Sequence, residues 1–185
     1  MKLGEKEWID AGLRVIAERG VDAVRVERLA EALNVTKGSF YWHFKDRAAL
    51  LERLLQEWSA RTTNDVIEHL ENDGGSARGR LENLLRISFG SRGRLERGIR
   101  AWAAQDETAQ KALEKIDQRR VTYLATLLAE LGVPPSESKA RARFAYHAMI
   151  GRFMSGIQPD KGTRLTESVS IAAGMLAATP SKLRS

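Results

Sequence analysis

The sequence predicts an all-α protein of about nine helices, three short ones first and longer ones after them. Three observations carry that prediction. Apolar residues recur every three or four positions along almost the whole chain, which is the spacing of one face of a helix. No segment alternates apolar and polar residues over the length of a strand. The breaks between periodic runs are short clusters of Gly, Pro, Asn, Asp and Ser, such as Asn72–Ser76, Gly132–Ser136 and Gln158–Gly162, and such clusters punctuate helices.

Taken in order, Ile9, Leu13 and Ile16 define the first helix, which Gly20 stops. Val26, Leu29, Ala30 and Leu33 mark a short second helix; after a turn at Asn34-Val35-Thr36, a third short helix runs to about Phe44. A long fourth helix begins near Asp46 and carries Leu50, Leu51, Leu54, Leu55, Trp58, Val66 and Leu70 as one run. Ser76 stands as the N-cap of the helix bearing Leu81, Leu84 and Leu85. Ile99 and Trp102 mark another, and a long run follows through Ile116, Tyr123, Leu124, Leu127, Leu128 and Leu131. A helix over roughly 137–157 and a final one on Leu165, Val169, Ala172 and Leu176 complete the series.

Composition narrows the class. Of 185 residues, 43% are hydrophobic and 29% charged, the balance of a globular protein. No stretch approaches the roughly 18 apolar residues of a membrane span, and the first residues lack the apolar core of a secretion signal. With no cysteine in the chain, disulfides and thiolate metal sites are excluded and a cytoplasmic location is expected. The net charge of +6 points to an acidic partner such as nucleic acid. Its distribution does not point to the N-terminus: the first fifty residues hold nine Lys and Arg against eight Asp and Glu, whereas 78–100 hold seven arginines against Glu82 and Glu96. The motif must carry the argument.

Residues 25–44 read Arg-Val-Glu-Arg-Leu-Ala-Glu-Ala-Leu-Asn-Val-Thr-Lys-Gly-Ser-Phe-Tyr-Trp-His-Phe. Short helix, tight turn and second short helix form the helix-turn-helix layout, whose second helix lies in the major groove of duplex DNA. Asn34 suits the left-handed position that ends the first of these helices, and Thr36 can cap the second. At about 100° per residue, Phe40 and Phe44 share the inner face, while Trp42 points outward with Gly38 beside it. Tyr41 and Lys37 form one flank, Ser39 and His43 the other. Phe40 and Phe44 alone would satisfy a packing core; an outward Trp among Tyr, Lys, Ser and His suits a groove floor and its phosphates. Gly38 allows a close approach. Lys45 and Arg47 follow at the N-terminus of the fourth helix, where free N–H groups and the helix dipole already favour phosphate.

Leu29-Ala30, Leu33-Asn34-Val35 and the run from Ser39 to Leu50 resemble the signature of the TetR family of transcriptional regulators. The close resemblance covers about residues 5–55, and the rest matches in length, helix count and helix order. It implies a homodimer on a palindromic double-stranded DNA operator, usually a repressor, which leaves the operator when a small molecule enters the C-terminal body. Tyr41 and His43 would then contact backbone or base edges, and Lys45 or Arg47 a phosphate. In two places the chain departs from the pattern. Asn34 replaces the usual Gly, and Arg25 stands where Ser or Thr usually caps the second helix, so Arg25 is free to reach a phosphate. The domains expected are a DNA-binding unit over 3–47 and a regulatory and dimerisation unit over 48–180.

In that body, Phe144, Ala148, Gly151 and Ser155 form one stripe, which with the final helix resembles the family's four-helix dimer interface. Trp58, Phe89, Trp102, Tyr123, Phe144 and His147 are the candidates to line a cavity for a small hydrophobic or amphipathic effector, with ordinary core packing as the alternative for each. An arginine among 78–100 could meet an acidic group on that effector. His43, His69 and His147 show no ligand spacing, so no metal is expected, and nothing calls for a cofactor. The rival classes, a helical enzyme and a non-DNA interaction module, find no support in nucleophile ordering or phosphate loop.

Overall fold

The computed structural model describes residues 3–91, 93–155 and 164–178, and among these every regular element is helical. The expected loop at Gln158–Gly162, Arg92, and the expected domain's last residues past 178 lie outside the described residues. Ten α-helices follow in order: α1 (Glu5–Arg19), α2 (Val26–Ala32), α3 (Lys37–Phe40), α4 (Arg47–Ser59), α5 (Asp65–Asn72), α6 (Ala77–Gly90), α7 (Arg94–Ala103), α8 (Glu107–Glu130), α9 (Pro135–Met154) and α10 (Leu165–Ala177).

Local chemistry accounts for the boundaries. Glu7 accepts a hydrogen bond from the Gly4 N–H at 2.8 Å and opens α1; Gly20, at φ +80, closes it. Asp46 caps α4 by accepting from the Ala49 N–H at 2.8 Å, and Ser76 caps α6 from the Gly79 N–H at 3.2 Å, as its position predicts. Two expectations change. The third helix is a single α-turn, extended only by bonds from His43 and Phe44 N–H to the Phe40 carbonyl. The fourth is broken by a π-helical turn over Ala60–Asn64. Thr62 donates to the Trp58 carbonyl at 2.6 Å, a backbone competition that β-branched Thr offers, and Arg61 is held by Asp10 at 2.5 Å and Glu57 at 2.6 Å.

Packing divides the chain into two compact units. The first takes the chain up to Thr62 together with Gly93–Lys115, so α7 shares a unit with the helix-turn-helix. Its core holds Trp8, Ile16, Leu29, Phe40, Leu50, Leu54, Trp58 and Ile99. Two glycines set helix spacings within it. A Cβ on Gly98 of α7 would stand 2.5 Å from the Ile16 carbonyl oxygen of α1, and one on Gly12 would stand 2.8 Å from the Leu54 methyls.

The second unit runs from Thr63 through α6 and resumes at Ile116. Leu81, Leu85, Leu124, Leu127, Leu128, Ala142, Val169 and Ala173 form its core. A polar chain crosses it: Arg120 donates to the buried Thr63 hydroxyl at 2.9 Å and to the Tyr146 hydroxyl at 3.3 Å, and Tyr146 donates to Asp117 at 2.6 Å.

Candidate nucleic-acid interface

The turn between α2 and α3 is built by two backbone bonds. Val35 N–H reaches back to the Ala30 carbonyl and Asn34 N–H to that of Glu31, both at 3.0 Å, the paired pattern of a Schellman helix ending. It needs a left-handed residue just past the helix, and Asn34 supplies it at φ +54. Thr36 then takes the N-cap position of α3 with an extended backbone, but its hydroxyl makes no capping bond.

Aromatic packing sets which way α3 faces. Phe40 is fully buried, edge-on to Trp8 and stacked on Phe44, each at 5.3 Å between ring centroids. With Phe40 and Phe44 anchored inside, Trp42 is thrown outward and is 88% exposed, with Tyr41 at 55% beside it. Lys37 and Gly38 are also exposed and Ser39 is half-buried. A Cβ on Gly38 would meet nothing closer than the Thr36 hydroxyl at 3.7 Å. The fold itself therefore tolerates a side chain there, and an absent one leaves room for something outside.

The remaining expected contacts separate by what already holds them. Arg25 and Lys45 are exposed, and Arg25 occupies the α2 N-cap position without a side-chain cap. His43 is half-buried and its Nε2 lies 3.1 Å from the Leu3 carbonyl. Arg47 donates through Nε to the Val24 carbonyl at 2.6 Å and through Nη2 to the Val21 carbonyl at 2.8 Å. Arg47 is thus a clamp on the loop before α2, whereas Lys45 is exposed. Glu27 went unnoticed in the sequence: it forms an ion pair with Lys37. That hydrogen bond holds the Glu27 carboxyl below the usual range and pushes the Lys37 ammonium up. The two are ten residues apart, a separation that helical periodicity does not flag.

The six residues expected around an effector belong to both units, two to the first and four to the second. Trp58 and Trp102 are buried in the first unit; Phe89 and Tyr123 are half-buried against the core of the second. Phe144 is 74% exposed and His147 is exposed, on the outer face of α9. These two do not line an interior, because α9 turns Ala142, Tyr146 and Phe153 inward instead. Tyr123 donates to Glu71 at 2.7 Å, and burial first, then that carboxylate, pushes its hydroxyl pKa far above the usual value. The arginines of 78–100 are engaged in part: Arg78 with Glu82, Arg80 with Glu71 and Glu130, and Arg100 with Glu96. Among the described residues no group of three His, Asp or Glu side chains could hold a metal ion, and no helix is long and apolar enough to cross a membrane.

Known proteins resemble the chain at two levels. Residues 9–54 match the family model described as bacterial regulatory proteins, tetR family. The tetracycline repressor protein class A from transposon 1721 of Escherichia coli is 33% identical over 117 residues, covering 60% of this chain and 53% of the repressor. The HTH-type transcriptional regulator AcrR of Shigella flexneri is 34% identical over 56 residues, 30% of this chain and 25% of AcrR. The chain spans about half the length, or less, of these curated relatives. In three dimensions the likeness is wider. Reduced NemR of Escherichia coli superposes with a TM-score of 0.75 at 19% identity, covering 93% of this chain and 95% of NemR. A transcriptional regulator from Rhodococcus sp. Rha1 does so at 0.70 and 18%, over 96% and 100%. At these identities the shared property is the fold.

Proposed function

Since residues 9–54 match the model of the tetR family of bacterial regulatory proteins, we propose that the chain is a member of that family and a dimeric, ligand-responsive transcriptional repressor that binds a palindromic operator through α3 in the major groove. Family membership sets aside the helical enzyme. The observation that carries the reading is the orientation of α3: Trp42 stands in solvent with the half-exposed Tyr41 beside it, edge-on to Phe40, while Phe40 and Phe44 hold the turn from within. Two large aromatics exposed side by side form a patch of the kind that marks an interaction surface. Tyr41, Trp42, Lys37 and Ser39 face base edges around Gly38; Lys45 and Arg25 take phosphates, and Thr36 and His43 border the same surface.

One such reader spans a single half-site, so specificity calls for two of them about 34–36 Å apart, one turn of DNA. For the second copy we assign α9 and α10. Phe144, Ile171 and Met175 are exposed there, and Gly151 and Gly174 have open space above them, so two such faces can approach closely. A small hydrophobic or amphipathic effector bound in the body would release the operator by preferring one arrangement of the dimer. The cytoplasm is the place for this activity.

Selection of duplexes from a random library by the full chain tests the reading, joined to sedimentation at micromolar concentration. A two-fold-symmetric site bound by a dimer is expected. A folded chain that enriches no duplex refutes it, and a monomer that binds tightly refutes the dimer.

A further inference from the structure

Lys37 opens α3 and Glu27 lies in the first turn of α2, and their side chains meet as an ion pair beside the exposed aromatics. Both remain mostly in solvent. Exposed pairs contribute little to stability, so the fold has small need of this one. A carboxylate is also a poor group to bring near a phosphate backbone, because it repels anions and offers only acceptors. On a surface that reads DNA it is tolerated where a donor waits for it. In the major groove those donors are the amino groups of cytosine N4 and adenine N6.

The ammonium beside it narrows the choice. In a C·G pair the cytosine amino group is followed on one side by two acceptors, guanine O6 and N7. A carboxylate with one ammonium at its side matches that row in full, since the ammonium has three donors to share between the two acceptors. In an A·T pair the amino group sits between acceptors on both sides, and a single ammonium reaches one of them only.

Building on the DNA-reading role above, we propose that Glu27 is a specificity-determining residue, and that Glu27 and Lys37 together read one C·G base pair in each half-site. Glu27 accepts from cytosine N4 and Lys37 donates to guanine O6 and N7. The pair seen without DNA holds both groups in place for the base pair.

The test is duplex selection by the full chain as wild type, E27Q and K37Q, with melting temperatures measured alongside. Wild type is expected to enrich one C·G pair per half-site, with a preference of roughly tenfold or more over other pairs. E27Q should lose that preference and move toward A·T, because a carboxamide pairs with adenine. K37Q should weaken it, and both should keep every other position of the site and the melting temperature. If E27Q selects the same bases throughout, the proposal is overturned, even if it binds all duplexes more tightly; Glu27 would then act by repulsion alone. Loss of preference at all positions together with a lowered melting temperature also overturns it, since the pair would then be a tie between α2 and α3. A wild type that selects no duplex removes the DNA-reading role itself, whereas a wild type with a defined site and an unchanged E27Q removes this inference only.

Discussion

Phe40 and Trp42 are two residues apart on one short helix, and truncating each to alanine should produce opposite phenotypes. Phe40 is fully buried against Trp8 and Phe44, and a buried Phe→Ala change costs about 3–5 kcal/mol. For a chain of this size a loss of 1 kcal/mol lowers the melting temperature by about 2–4 °C, so Phe40→Ala should melt roughly 6–20 °C early. Trp42 is 88% exposed, so only about an eighth of its surface is covered. At about 25 cal/mol per Å² over the ~250 Å² of a Trp side chain, Trp42→Ala should change stability by less than about 1 kcal/mol. Its cost falls on DNA. A well-placed base contact is worth about 1–3 kcal/mol, and two readers per operator make that about 2–6 kcal/mol, or on the order of 30- to 10⁴-fold in affinity. Circular dichroism melts and operator titrations at fixed salt read the two effects separately. The reasoning fails if Trp42→Ala melts as early as Phe40→Ala, or if it binds the selected operator like wild type.

Three further outcomes are expected. Arg47→Ala should lose about 1 kcal/mol of stability with its bonds to the Val21 and Val24 carbonyls and keep the salt dependence of DNA binding; Lys45→Ala should keep stability and flatten the log–log salt slope by about one unit per reader. Gly98→Ala should destabilise by about 2 kcal/mol in urea unfolding, because overpacking against the Ile16 carbonyl, 2.5 Å from the new Cβ, costs up to about 3 kcal/mol and the helix propensity of Ala returns about 1; Gly90→Ala, in open space, should not destabilise. The Asp10 carboxyl is held below its ordinary value mainly by its hydrogen bond to Arg61. A lowered folded pKa contributes stability in full above the unfolded value of about 3.9 and loses it as pH falls through the folded one. Asp10→Asn should therefore cost under about 1 kcal/mol at neutral pH, and the cost should shrink as pH falls below about 3.9, as read by melts across that range.

What the sequence determined by itself depends on neighbours three to five residues away, although two features at that range escaped it, the missing Thr36 cap and the Thr62 bond to the Trp58 carbonyl at the π-helical turn. The Asn34 turn, the cap at Ser76, the helical runs apart from the break at Ala60–Asn64, and the inward Phe40 and Phe44 with an outward Trp42 are all of that kind. Helical periodicity and backbone capping act over one turn, so one turn of sequence is enough to read them. The tertiary structure alone decided which faces meet. Gly98 lies against Ile16, Arg47 is held by the loop before α2, His43 lies by Leu3, and Lys37 pairs with Glu27; none of these partners shares a helix. The same holds for α9, where Phe144 belongs to one apolar stripe and Tyr146 and Phe153 to another. A pattern with two apolar faces does not say which is covered within the chain. That is fixed by which helix packs beside it, and packing depends on contacts that periodicity does not encode.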